Sequence, residues 1–178
     1  MKIFRTQYLI AFCILIGLPA FAQDDVKFPE GEKGYEATYQ RNIKKSRING
    51  VYIPANLDEA FQELDALSPD GALQKFANAP EDIIATKLHF GLGRWISVYW
   101  NFIEGSRYVE YLRKLGLTDP DHMIQFTIVS YHRHKNNKPI DVEGQVEKYK
   151  ELREQKRQEM LNRREVIHQE KRPVKKGD

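Results

Sequence analysis

Five histidines, His89, His122, His132, His134 and His168, are the side chains of this sequence best suited to hold a metal or move a proton, because imidazole titrates near neutrality and ligates metals in its neutral form. A metal-dependent hydrolase would gather His89, His132 and His134 and use Glu104 as the general base toward a metal-bound water. The spacing does not favour it. H-E-x-x-H is absent, and His132 and His134, two positions apart, point to different faces of a helix. Capping, hydrogen-bonding and surface roles account for these histidines more simply. No metal is therefore expected, and an enzyme built on His89, Glu104 and His132 stands as the alternative.

Arg94, Arg107 and Arg133 flank the most aromatic stretches, and together with His89, Glu104 and His132 they make the candidate binding set. Guanidinium groups on the rim of an apolar surface suit an anion or a peptide, but the same groups can finish a helical core by stacking on tryptophan or pairing with Glu104 and Asp121. Gly91-x-Gly93 lacks the third glycine and the preceding strand of a nucleotide loop. There is no G-x-S-x-G, so a serine nucleophile has no support. The single cysteine, Cys13, lies in the leader described next, which removes disulfides, thiolate nucleophiles and cysteine-bearing zinc sites together from the mature chain. No catalytic residue and no cofactor is assigned.

Residues 1–22 read as a cleavable signal peptide. Lys2 and Arg5 form a positive start, Tyr8 to Leu18 an apolar run, and Pro19-Ala20-Phe21-Ala22 a small-residue cleavage end. A retained membrane anchor would need a longer apolar span than this segment offers. The protein is thus expected outside the cytoplasm, in the periplasm or secreted. Losing Lys2 and Arg5 brings the formal charge of +3 close to neutral. The remaining charges interleave, so no nucleic-acid partner is expected.

The elements that would position the candidate residues are helical. Residues 23–50 are a polar lead, read as flexible with at most one irregular turn. From Asn56 a capping box with Glu59 opens an amphipathic helix through Leu57, Ala60, Phe61, Leu64 and Leu67. Ser68-Pro69 closes that helix and can also open a second, shorter one with Pro69 at its first position, running to about Ala77, and Pro80-Glu81-Asp82 starts another. The run from His89 to Arg107 holds both tryptophans and is apolar over most of its circumference, which predicts a helix surrounded by others at the centre of the core. Gly91 and Gly93 within it predict a kink or a close backbone approach. Further helices follow Ser106 and Asp119-Pro120. After Val142 the composition turns to Glu, Lys, Arg and Gln with a thin apolar stripe, which predicts a long solvated helix whose first turns dock. The division is 1–22 leader, 23–50 lead, 51–141 helical domain and 142–178 charged helix and tail. The fold class is all-α, an irregular or orthogonal helical bundle with a long charged C-terminal helix.

At His89-Phe90-Gly91-Leu92-Gly93-x-Trp95, Trp100, Gly105-Ser106-Arg107, Tyr111, Gly116, Pro120-Asp121-x-Met123 and Tyr131-His132-Arg133, the chain resembles an uncharacterised family of bacterial domains of unknown function. That family is met in Bacteroidetes-type genomes and carries the pattern H-F-G-L-G-x-W…W…S-R-L…Y-F…G-I…P-D-D-M…H-R. The likeness runs from about Tyr52 to Ile140. It departs at His122, where the pattern has Asp, and at Val109 and Leu112, where it has Leu and Phe. The resemblance implies a single helical domain and brings no activity with it. The expectation that follows is an exported helical module binding a protein or peptide partner in the cell envelope, through the Arg/His-bearing rim and the projecting helix. Membrane contact has no sequence support beyond that helix, and oligomeric state is open.

Overall fold

Asn56 does what its position predicts: its side-chain oxygen accepts from the Glu59 backbone N–H at 2.9 Å and opens the helix Leu57–Leu67. The computed structural model to which this helix belongs describes residues 31–68 and 71–170. In chain order it contains α1 (Gly31–Asn42), strands β1 (Arg47–Ile48) and β2 (Val51–Tyr52), α2 (Leu57–Leu67), α3 (Ala72–Ala77), α4 (Glu81–Leu88), a π-helical turn (His89–Gly93), α5 (Arg94–Tyr99), α6 (Arg107–Lys114), α7 (Pro120–Lys135) and α8 (Val142–Glu170). The fold is all-α. Residues 1–30, which hold the expected signal peptide and the start of the lead, residues 69 and 70, and the tail from Lys171 lie outside the described residues.

The centre of the core is α7, which corrects the expectation that the tryptophan segment would hold that place. From Met123 to His132 it buries Met123, Ile124, Phe126, Thr127, Ile128, Tyr131 and His132. A helix buried this far around must be enclosed by others, and α2, α3, α4, the π turn, α5 and α8 all pack on it. Several polar side chains inside are hydrogen-bonded, although Trp100 Nε1 and His132 Nδ1 have no partner among the described residues. The buried Tyr108 hydroxyl of α6 lies 3.0 Å from Thr127 Oγ1, which in turn donates to the Met123 carbonyl at 2.8 Å. Tyr131 donates to Asp65 of α2 at 2.5 Å.

The tryptophan segment is three pieces. Gly93 explains the break, since a Cβ there would lie 2.8 Å from Ile124 Cγ2. Only glycine lets α5 approach α7 this closely, and the π turn re-aims the helix as it passes. Beyond Tyr99 the helix stops instead of running on to Glu104. Asn101 takes φ 54° and its side-chain amide donates to the Gly105 carbonyl at 3.1 Å. Trp100 ends fully buried, edge-on to Trp95 and Tyr108, whereas Ile103 stands in the turn, 70% exposed.

Two further expectations need correction. The lead is not structureless from residue 31, because α1 docks through the buried Tyr39 ring over Gly105, where any Cβ would overlap the ring. The Tyr39 hydroxyl donates to Glu110 at 2.6 Å, and Arg113 lies over the ring at 4.6 Å. A small antiparallel hairpin, Arg47 opposite Tyr52, follows with Asn49-Gly50 at φ 50° and 80° in its turn. Ser68 closes α2 as expected, donating to the Leu64 carbonyl at 2.6 Å, but it does not cap the next helix: α3 begins only after Gly71. In α8, Val146 and Tyr149 are buried, and every side chain from Lys150 to Arg163 is exposed.

Candidate functional site

Most of the candidate binding residues are occupied by the fold itself. Arg107, at the start of α6, donates from Nε to the Ile53 carbonyl at 2.6 Å and from a terminal nitrogen to Glu59 at 3.1 Å, with its guanidinium 5.0 Å from the Tyr52 ring centre. Glu59 also accepts from the Tyr52 hydroxyl at 2.7 Å and the Ala55 N–H at 2.8 Å. The Tyr52 bond foremost, then the Ala55 amide, hold its carboxyl below the ordinary glutamate range. Arg107 is thus a clasp joining the hairpin to α2 and α6.

Arg133 plays the same part at the other end. Its Nε and a terminal nitrogen both reach Glu81 Oε1, at 3.0 and 2.7 Å, while the other terminal nitrogen donates to the Ile140 carbonyl at 2.9 Å. Hydrogen bonding from Arg133 is the chief reason the Glu81 carboxyl lies below its usual range. His132, only 2% exposed, sets Nε2 2.9 Å from the Ala79 carbonyl, so this nitrogen carries the proton. Its Nδ1 faces Glu81 at 3.9 Å. Glu81, His132 and Arg133 together pin the start of α4 to the end of α7.

His89 lies elsewhere. Its Nε2 is 3.8 Å from Asp121 in the first turn of α7, and Asp121 and His132 are about 16 Å apart along that helix. Glu104 sits in the turn after α5 with no hydrogen bond or ion pair among the described residues. His134 stacks on Phe61 at 4.6 Å and His122 on Tyr149 at 5.1 Å. The structure therefore does not bring His89 and His132 to one centre, and no cluster of metal-ligating side chains is found among the described residues. A shallow cleft of about 180 Å³ lies between α8 and the start of α7, lined by Leu117, Asp119, His122, Tyr149, Lys150 and Arg153. Its polar groups are engaged: Asp119 caps α7 through the Asp121 and His122 N–H groups, and Arg153 donates to Thr118. Much of that volume is open solvent, and the space it leaves for the centre of a water molecule, about 10 Å³, is room for about one water.

What remains open is the outer face of the tryptophan segment. Ile83 is 37% exposed, Phe90 84% and Val98 59%, and Lys87 and Arg94 are exposed between them. Steps of four, three, four and four residues keep all five on one side across the π turn. Gly91, also exposed, has nothing within 4 Å of where a Cβ would stand, so the ridge carries a notch beside its most prominent ring. Arg94 alone of the three candidate arginines is free for a ligand, with no ion pair or hydrogen bond among the described residues. Ile83, Lys87, Phe90, Gly91 and Val98 were not among the sequence candidates. The signal was there in the cations: two long charged side chains in register with the apolar ones mark a wet stripe, not a buried one.

Residues 53–135 match the model of a family described as a domain of unknown function, DUF6794. That span includes α7, the ion pairs Arg107–Glu59 and Arg133–Glu81 and the whole ridge, consistent with an uncharacterised domain family, and it leaves out Tyr52, Ile140, α1 and α8. No match was found among curated proteins or among solved structures. Among the described residues, no helix is long and apolar enough to cross a membrane.

Proposed function

We propose that this chain is an exported helical module that binds a protein or peptide partner in the cell envelope, and that the ridge from Ile83 to Val98 is the surface that meets it. The observation that carries the reading is Phe90, left 84% exposed in a segment whose other side is core. Covering a side chain of this kind gains about 1.5–3 kcal/mol, and a partner would supply that cover. The leader, Lys2 to Ala22, supports the envelope as the place of action. Of the rim first considered for binding, Arg107, His132 and Arg133 are engaged within the fold, which favours the ridge as the binding face. The projecting part of α8 offers isolated apolar side chains, Leu152, Met160 and Leu161, among interleaved charges, and so is a weaker candidate.

A photoreactive residue placed at Phe90 in intact cells tests this, with Lys156 of α8 as the control site. A discrete adduct with one envelope protein from position 90 is the expected result. Its absence, or equal adducts from both positions, overturns the reading. N-terminal sequencing of the envelope fraction checks export separately, with Gln23 as the expected first residue.

A further inference from the structure

We infer that the partner segment is an acidic amphipathic helix laid lengthwise along the ridge, with its apolar residues on Ile83, Phe90 and Val98 and its carboxylates on Lys87 and Arg94. This rests on the reading of the ridge as a binding face and adds the chemistry of what binds. Apolar and cationic side chains alternate along the stripe as Ile83, Lys87, Phe90, Arg94 and Val98, a run of about 22 Å at helical rise. A helix of about four turns spans that length and presents a side chain to the same line every three or four residues.

Charge chooses the partner's sign. Most of the chain's other helical cations near the core are engaged: Arg107 with Glu59, Arg133 with Glu81, Lys114 with Glu110 and Lys135 with Asp65. Lys87 and Arg94 have no such pair among the described residues; of the two acids at the head of the stripe, Glu81 is already held by Arg133 and Asp82 is exposed one position before Ile83. The middle of the ridge is therefore an uncompensated positive field around an exposed aromatic ring. The notch at Gly91 gives an incoming apolar side chain access to the backbone beside Phe90, as when the ridges of one helix enter the grooves of another.

Two other occupants fit less well. In α8, Glu143, Glu147, Glu151 and Glu154 do share one exposed line, but no apolar side chain stands among them to meet Ile83, Phe90 and Val98, and Glu147 and Glu154 are already paired with Lys150 and Arg157, so a second copy fits less well. A lipid surface would have to accept a stripe only one side chain wide.

The test uses the mature chain from Gln23, labelled with nitrogen-15. It is titrated with a synthetic helical peptide of about 15 residues carrying leucines at i, i+4, i+7 and i+11 flanked by glutamates, with the same peptide bearing lysines for glutamates, and with phosphatidylglycerol-containing vesicles. The glutamate peptide is expected to shift amides between Ile83 and Val98, with binding weakened at least tenfold by Phe90→Ser or Arg94→Glu and by raised salt. Arg94→Glu is expected to take up the lysine peptide instead. No shift with the glutamate peptide at millimolar concentration, equal binding of both peptides, vesicle binding in place of peptide binding, or dimerisation through the ridge would each overturn the inference. A cross-linked envelope partner lacking an acidic amphipathic segment would also overturn it while leaving the binding reading intact. An absent cross-link removes the binding reading itself.

Discussion

The two faces of the segment from Glu81 to Trp100 both carry apolar side chains and meet opposite fates. The inner face sets Ile84, Gly93, Ile96 and Trp100 against α7 and the aromatic residues of α6, with Ile96 and Trp100 wholly buried. The outer face carries Ile83, Phe90 and Val98 into solvent. The inner face is complete without the outer one, because the π turn and Gly93 have already brought the backbone as close to α7 as Ile124 permits. Apolar side chains that the fold does not need for its own closure are material for another molecule.

The contrast breaks most readily at Trp100. Trp100→Ala empties a fully enclosed site and is expected to cost about 3–5 kcal/mol, read as a lowered urea midpoint with an unchanged slope. Next comes the clasp that anchors the segment. Glu81→Gln removes the charge from a carboxylate that meets Arg133 at 2.7 Å and is expected to cost about 1.5–3 kcal/mol. Its pH dependence has a definite sign. A carboxyl lowered in the folded state contributes stability that is complete above the ordinary glutamate value of 4.5 and is lost as the pH falls through the lowered folded value. Glu59 and Glu110 act in the same direction, the latter chiefly through the Tyr39 hydroxyl. The parent should therefore lose stability below about pH 4.5, and Glu81→Gln should lose less over that interval, by urea titration at each pH.

Smaller effects sharpen the same contrast within one turn of chain. Gly93→Ala must push Ile124 aside and is expected to cost about 1–2 kcal/mol after the better helix propensity of alanine is counted. Gly91→Ala, into open space, is expected to be neutral or stabilising by up to about 1 kcal/mol. Equal costs at the two glycines would mean that the segment is not seated as described.

Where the governing interaction is local, the sequence was readable. Asn56 with Glu59, the start at Pro80-Glu81-Asp82 and the cap at Asp119 each act within a few residues, and each opens a helix. The conflict posed by Gly93 was readable too, though the π turn that resolves it was not. What escaped depends on residues far apart in the chain. The docking of α1 rests on one ring: Tyr39 bonds Glu110, 71 positions away, and covers Gly105, while the rest of α1 is too polar to show a core face. Burial first, then the bond to Glu110, push the Tyr39 phenol up to about 12, and no local pattern encodes that environment. The expected arginine partners, tryptophan, Glu104 and Asp121, are not the ones found: Arg107 pairs with Glu59 and Arg133 with Glu81, and the spacing could not tell whether they faced a ligand or the Ile53 and Ile140 carbonyls. The tryptophan run was read as enclosed because hydrophobicity has no direction: the pattern gives the amount of apolar surface and leaves open whether the chain itself or another molecule covers it.

The most direct test is the urea midpoint of Phe90→Ser beside that of the parent. A midpoint within about 0.5 kcal/mol of the parent, equal or slightly higher, is expected for a ring that stands in water and serves an outside partner. A fall approaching that of Trp100→Ala would place Phe90 in the core and contradict the division of the segment into a face for folding and a face for binding.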